Sequence, residues 1–122
     1  MLEISPEKLA AYQASAQRRQ EKRHQQLLER QAQGWTIAHQ AAHLLKSQFG
    51  ATRVVLFGSL LTVERMHSRS DIDLAAWGIN ERDYLRAVSQ LLDLSDFSVD
   101  LVEAENTSPK MLSAIQATGV DL

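Results

Sequence analysis

Three aspartates are the residues of this chain best suited to chemistry. Asp71 and Asp73 are two positions apart in DIDLAAW, and Asp100 interrupts the apolar segment FSVDLV. If DIDLAAW is a strand, its alternate residues share a face, so Asp71 and Asp73 project the same way. Adjacent carboxylates repel each other unless a cation lies between them, and Mg²⁺ prefers such oxygen ligands. We therefore expect one or two Mg²⁺ ions here, with Asp100 completing the cluster from a neighbouring strand.

A glycine–serine pair precedes these carboxylates. Gly58 and Ser59 follow the apolar run RVVLF directly, and eleven residues separate them from Asp71. Glycine allows close approach of a ligand and backbone conformations that other residues resist. If a helix begins at this point, its free N–H groups would also face a bound anion. A pair of this kind is usually only a turn, but its placement predicts a phosphate site beside the carboxylates.

The segment between the pair and the carboxylates adds weaker candidates. Arg65 and Arg69 can contact phosphates, or they can simply belong to a solvated basic loop, and both interpretations stay open. Ser70 joins the candidate nucleotide-binding residues. His39 and His43 are four residues apart on one predicted helix face, where we expect ordinary helix surface rather than a metal site.

The elements that must position these residues alternate between helices and strands. Gly34 is expected to end a first helix, so residues 1–35 are predicted to form a helical N-terminal extension and residues 36–122 the main domain. The fold class predicted is α/β (α+β), with a small mixed β-sheet flanked by helices. The predicted helices cover about residues 6–32, 37–48, 81–93 and 109–117, and the strands about residues 53–57, 71–77, 97–102 and 120–122.

The extension differs in character from the rest. Gln17–Gln26 contains no apolar residue, so it cannot be buried in a core and must be a solvated arm or a surface for another molecule. Residues 1–46 hold seven basic and four acidic residues, a net charge of +3, whereas residues 47–122 hold six and eleven, a net charge of −5. Nucleic-acid binding by the arm is disfavoured, because the arm has no aromatic residue for stacking and Glu21 and Glu29 dilute its charge.

The amino-acid composition excludes several classes of function. The 122 residues include no cysteine, which excludes thiol catalysis, disulfides and cysteine-ligated zinc. No apolar run is long enough to span a bilayer, and MLEISPEKLAAYQ lacks the basic start and apolar core of a secretory signal. A cytoplasmic protein is therefore expected.

FGSLLTVERMHSRSDIDLAAW resembles the signature of the nucleotidyltransferase superfamily related to DNA polymerase β. That signature is a Gly-Ser pair, a short spacer, Asp-x-Asp in a strand and a third acidic residue on a later strand. Over residues 37–122 the chain is similar, more narrowly, to the minimal nucleotidyltransferases. It resembles the antitoxins of HEPN/minimal nucleotidyltransferase toxin–antitoxin pairs.

This resemblance implies a nucleotidyltransferase fold and a role for each candidate residue. Gly58 and Ser59 match the pair that holds the nucleoside triphosphate, and Asp71 and Asp73 match the metal-binding carboxylates. Asp100 matches the third carboxylate, which helps to deprotonate the acceptor hydroxyl. The implied reaction is Mg²⁺-dependent transfer of a nucleoside monophosphate, AMP from ATP, to a protein hydroxyl with release of pyrophosphate. The implied acceptor is a tyrosine of a HEPN ribonuclease toxin.

One segment departs from the family pattern. Many relatives follow Gly-Ser with a small residue, arginine and glycine, whereas this chain has Leu60-Leu61-Thr62-Val63. The departure leaves a second function open. In that alternative, the chain is a catalytically inactive relative that neutralises its partner protein by binding alone.

Overall fold

Four strands form one mixed sheet in the computed structural model, which describes residues 3–122. The strands are arranged in the order β3-β2-β1-β4. β2 and β3 are parallel, and the other two neighbouring pairs are antiparallel. The predicted fold class, a small mixed sheet flanked by helices, is confirmed. In chain order the elements are α1 (Pro6–Phe49), β1 (Arg53–Phe57), β2 (Ile72–Trp77), α2 (Tyr84–Leu92), β3 (Val99–Glu103), α3 (Pro109–Thr118) and β4 (Val120–Asp121).

The predicted helix break at Gly34 is wrong, because α1 runs without interruption through that residue. A glycine inside a helix costs only about 1 kcal/mol relative to alanine, which tertiary packing easily offsets. Here it allows a close approach, since a Cβ at Gly34 would lie 2.7 Å from Leu60 Cδ1. The helix instead ends at Gly50, whose positive φ of 72° is typical of a helix C-terminus. The division into an extension (1–35) and a main domain (36–122) stays a prediction.

One face of the sheet packs against α1 and α2. The second half of α1 presents buried small and large apolar residues to it, among them Ala38, Ala41 and Leu45. From the strands, Ile72 and Leu74 of β2 contribute fully buried side chains to the same core. The apolar face of the helix that precedes β1 therefore packs on the sheet.

The opposite face of the sheet is covered only in part. Ile115 of α3 packs on Val55 and Ala75, which are paired across β1 and β2. The next row toward the β1–β2 loop contains Phe57, Asp73 and Asp100, of which the first two are half-buried and Asp100 is exposed. The fold therefore places carboxylates beyond the cover of α3. Within the described residues, no helix is both long and apolar enough to cross a membrane.

Candidate active site

The sheet brings two of the predicted carboxylates side by side. Asp73 in β2 is the direct partner of Asp100 in the parallel strand β3, so the two side chains project from the same face. Neighbouring strands are about 4.8 Å apart, within easy reach of two carboxylate side chains. Asp71 immediately precedes β2, two residues before Asp73, while the intervening Ile72 is buried on the other face.

The surroundings of Asp73 shift its pKa. The pKa of Asp73 is raised to about 6, first because burial disfavours its charged form and then because Asp100 and Asp71 repel it. Asp73 is only half-buried, so solvent screens part of this effect. At neutral pH the three carboxylates create a local negative potential that a cation would relieve.

Gly58 and Asp73 are in direct contact. Gly58 has φ +86°, a conformation that other residues rarely adopt. A Cβ at this position would overlap Asp73 Oδ2, so the carboxylate occupies the space that any side chain would need. Phe57, the residue before, pairs with Asp73 across β1 and β2, which explains the contact. The Gly58–Ser59 turn therefore lies directly beside the carboxylate of Asp73.

The loop after Gly58 folds into two short 3₁₀ turns, Ser59–Leu61 and Val63–Arg65, rather than the start of an α-helix. Leu61 N–H donates to the Gly58 carbonyl at 3.3 Å. The Leu60 side chain is fully buried against α1. Leu60, which departs from the family pattern, thus anchors the loop to the core.

The remaining predicted residues differ in exposure. Ser70 is buried, and its Oγ accepts a hydrogen bond from His67 N–H at 2.9 Å. Arg65 and Arg69 are exposed in the same loop. Nucleotide binding by these three residues stays a prediction. His39 and His43 lie on the exposed surface of α1.

Two residues next to the site were missed by the sequence analysis. Gln31 Nε2 donates to the Leu60 carbonyl at 2.9 Å, and Arg30 Nη2 donates to the Ser70 carbonyl at 3.0 Å. Their partners lie 29 and 40 residues away in sequence, so no local pattern could have identified the contacts. The sequence offers one weak signal: Arg30 and Gln31 lie on the side of α1 that becomes apolar and buried after residue 33.

The donor set determines what ion this site can hold. Among residues 3–122, no three histidine, aspartate or glutamate side chains form a ready-made metal cage. Mg²⁺ seldom needs one, because it commonly uses one or two carboxylates, with substrate phosphates and water completing its octahedron. Asp71, Asp73 and Asp100 provide only oxygen atoms, and the pKa of Asp73 is raised by burial and then by repulsion from Asp100 and Asp71. These residues fit a Mg²⁺ that is shared with bound phosphates.

Comparison with known proteins places this geometry in a family. The family described as "Polymerase beta, Nucleotidyltransferase" matches residues 39–122. Comparison with curated proteins gave no significant match.

Solved structures show the same fold at low sequence identity. One is a crystal structure of a toxin–antitoxin with AMP-PNP, in which the similar chain has 23% sequence identity to this one. The alignment covers 69% of this chain and 70% of that chain, with a TM-score of 0.59. The toxin–antitoxin MntA-HepT is 20% identical, covers 71% and 69%, and has a TM-score of 0.56. The tri-AMPylated Shewanella oneidensis HEPN toxin in complex with MNT antitoxin is 21% identical, covers 72% and 70%, and also has a TM-score of 0.56.

The matched region contains β1 to β4, Gly58, Ser59 and all three carboxylates. It also spans well over half of the chain. By its sequence and by the fold that places Asp73 against Gly58, this chain belongs to the polymerase-β-type nucleotidyltransferase family.

Proposed function

We propose that this chain transfers AMP from ATP to a tyrosine hydroxyl of a HEPN toxin and acts in the cytoplasm as its antitoxin. The observation that carries the proposal is the contact of Asp73 with Gly58, which joins a predicted phosphate site to a carboxylate cluster. The similar solved structures support the nucleotide and the acceptor, because one contains AMP-PNP and another contains an AMPylated HEPN toxin.

In the proposed reaction, Gly58 and Ser59 bind the triphosphate through backbone N–H groups and the Ser59 hydroxyl. Asp71 and Asp73, with Asp100 beside them, would hold Mg²⁺, which supplies charge neutralisation to the phosphates. Asp100 is exposed, so an acceptor can reach it from solvent.

The chemical step then needs a base and correct alignment. Asp100 accepts the proton of the tyrosine hydroxyl, and the tyrosine oxygen attacks the α-phosphorus in line with the leaving group. A new P–O bond to tyrosine forms as the bond to pyrophosphate breaks, and pyrophosphate departs. In this proposal Arg65 and Arg69, which are exposed in the β1–β2 loop, neutralise the charge of the departing pyrophosphate.

The direct test is label transfer. The purified chain is incubated with Mg²⁺, ATP labelled at the α-phosphate and the HEPN protein encoded beside it. Label should appear on the HEPN protein, should be absent when ATP is labelled at the γ-phosphate, and should disappear with Asp73→Asn. Asp93→Asn, an exposed acid at the end of α2, is the matched control and should retain activity. Label that persists with Asp73→Asn would contradict the proposal.

A second candidate function is neutralisation by binding alone. It is favoured by Leu60, which replaces the small residue of the family pattern and points into the core instead of toward the site. In this case the double variant Asp71→Asn/Asp73→Asn would still protect cells from the toxin, whereas removal of residues 1–24 would abolish protection. Loss of protection in the double variant would leave the enzyme as the explanation.

A further inference from the structure

Two adjacent residues of α1 donate hydrogen bonds to the β1–β2 loop. Gln31 Nε2 donates to the Leu60 carbonyl at 2.9 Å, and Arg30 Nη2 donates to the Ser70 carbonyl at 3.0 Å. Both bonds are partly buried, which limits competition from water. The Arg30 bond is charge-assisted and therefore stronger than a neutral one.

The two acceptors stand at opposite ends of the loop. Leu60 directly follows Gly58 and Ser59, and Ser70 directly precedes Asp71. One turn of a single rigid helix therefore holds both the segment proposed to bind phosphates and the segment that carries a carboxylate. Because the two donors are consecutive, the distance between the loop ends is tied to the geometry of that helix.

Two further contacts extend this attachment. The Leu60 side chain packs on Gly34, one turn beyond Gln31, where no side chain intervenes. The Arg30 guanidinium lies 4.2 Å from the centroid of the Phe97 ring, three residues before Asp100 in the chain. The same helix face thus contacts the segments leading to all parts of the site.

We propose that Arg30 and Gln31 are positioning residues for the reaction proposed above: Gln31 fixes the Gly58–Ser59 turn, and Arg30 fixes Asp71. Both residues donate to backbone carbonyls, and the Arg30 guanidinium also lies over the Phe97 ring, so they act through the groups that they hold. Positioning matters for this chemistry because a displacement of about 1 Å in an active site can cost about a hundredfold in rate.

Amide hydrogen exchange tests the two attachments separately. Gln31→Met and Arg30→Met keep unbranched, helix-favouring side chains but remove the donors. Gln31→Met should speed exchange of the Leu61 and Thr62 amides by about tenfold. Arg30→Met should speed exchange of the Ser70 and Ile72 amides by a similar factor. These amides, at the other end of the loop, donate to the carbonyls of His67 and Ser98.

Each variant should leave the opposite end of the loop unchanged. The β1 amides of Val55 and Leu56, residues that are buried in the centre of the strand, report global stability and should not change. Gln33→Met, an exposed position on the same helix, is the control and should match the parent chain at every amide.

Two outcomes would overturn the proposal. One is unchanged exchange at the loop; the other is exchange that rises equally in β1, which is the result of general destabilisation. If Arg30→Met unfolds, Arg30→Lys keeps the charge and one donor, and it should restore slow exchange at Ser70 relative to Val55. Failure of this rescue at equal β1 protection would also count against the assignment.

Steady-state kinetics separate this inference from the function on which it rests. Gln31→Met should mainly raise KM for ATP, whereas Arg30→Met should mainly lower kcat, because the first loosens the phosphate turn and the second a metal-binding carboxylate. If the parent chain transfers no AMP, the proposed function fails and the exchange data still decide the attachment. If the parent chain is active but both variants match it in exchange and kinetics, only the positioning proposal fails.

Discussion

The two halves of α1 belong to one helix but have opposite environments. In residues 6–26 nearly every side chain is exposed, whereas residues 27–49 bury one face against the sheet and the β1–β2 loop. Forty-four residues make a helix of about 66 Å, so the exposed half extends about 30 Å from the part that packs. Helix formation has a costly nucleus and gains most of its stability from packing, so the packed half stabilises the exposed half by supplying a formed helix for it to continue.

The contrast teaches that the two halves serve different purposes. Along the helix, positions seven residues apart share a side, and Leu9, Ala16 and Arg23 therefore continue the side that bears Arg30. In the packed half this side holds the loop. In the exposed half the same side carries an exposed leucine and an exposed arginine. The exposed half is therefore the part of the helix whose described residues lie outside the packed core, and its part in the proposed function can be tested by its removal.

The largest expected effect compares matched leucines in the two halves. Leu45→Ala removes a fully buried side chain and should lower the free energy of unfolding by about 3 kcal/mol. Leu9→Ala, at a position that is 47% exposed, should change it by less than about 0.5 kcal/mol. Urea denaturation measures both. Equal losses would show that the exposed half packs on something in the free protein.

Removal of residues 1–24 sharpens the same comparison. It leaves Arg30 and Gln31 in place, together with the whole buried core. The thermal midpoint should stay within about 3 °C, because almost no buried area is lost, whereas affinity for the HEPN partner should fall about tenfold or more. Calorimetric titration measures the affinity, and Arg18→Ala/Lys22→Ala tests the basic contribution. Unchanged affinity would assign the partner surface to residues 25–122.

Gly34→Ala tests the close contact in the packed half. Alanine improves helix propensity by about 1 kcal/mol, but its methyl group would lie 2.7 Å from the buried Leu60 Cδ1. Displacing Leu60 should outweigh that gain, for a net loss of stability of about 1 kcal/mol. Ser15→Ala in the exposed half should be neutral or slightly stabilising by the same assay. A stabilised Gly34→Ala variant would mean that Leu60 is free to move.

The smallest effect concerns the carboxylates that the packed half supports. A carboxyl with a pKa near 6 in the folded chain and near 4 when unfolded binds its proton more tightly when folded. The free energy of unfolding should therefore fall as pH rises from about 4 to about 6, and the loss should persist above that range. After allowance for solvent screening of a half-exposed group, the contribution is about 1 kcal/mol.

Asp73→Asn should remove this pH dependence and be more stable than the parent chain at pH 7, measured by thermal unfolding in the presence of EDTA. Below about pH 3 the two proteins should converge, because Asp73 is then largely protonated in both the folded and the unfolded parent chain. Removal of residues 1–24 should leave the pH profile as it is. A parent chain that gains stability between pH 4 and 6 would contradict the raised pKa of Asp73.

Much of the fold was predictable because its signals are local. The apolar run before Gly58 and the alternation around Asp73 each indicate a strand without reference to the rest of the chain. Boundaries were less accurate: β2 begins at Ile72 instead of Asp71, and β3 covers Val99–Glu103 instead of residues 97–102. Such shifts arise because pairing with a neighbouring strand, and not local preference, decides where a strand ends.

The sequence by itself determined which groups are available for chemistry: the carboxylates, the glycine that must accept a positive φ, and the strands that carry them. Only the tertiary structure decided that α1 is continuous through Gly34, because a weak helix-breaking tendency loses to packing against Leu60. It also decided the pairing of Asp73 with Asp100 and the attachment of the loop to Arg30 and Gln31. These contacts join residues far apart in the chain, and their energy exists only once the sheet and the helix have come together.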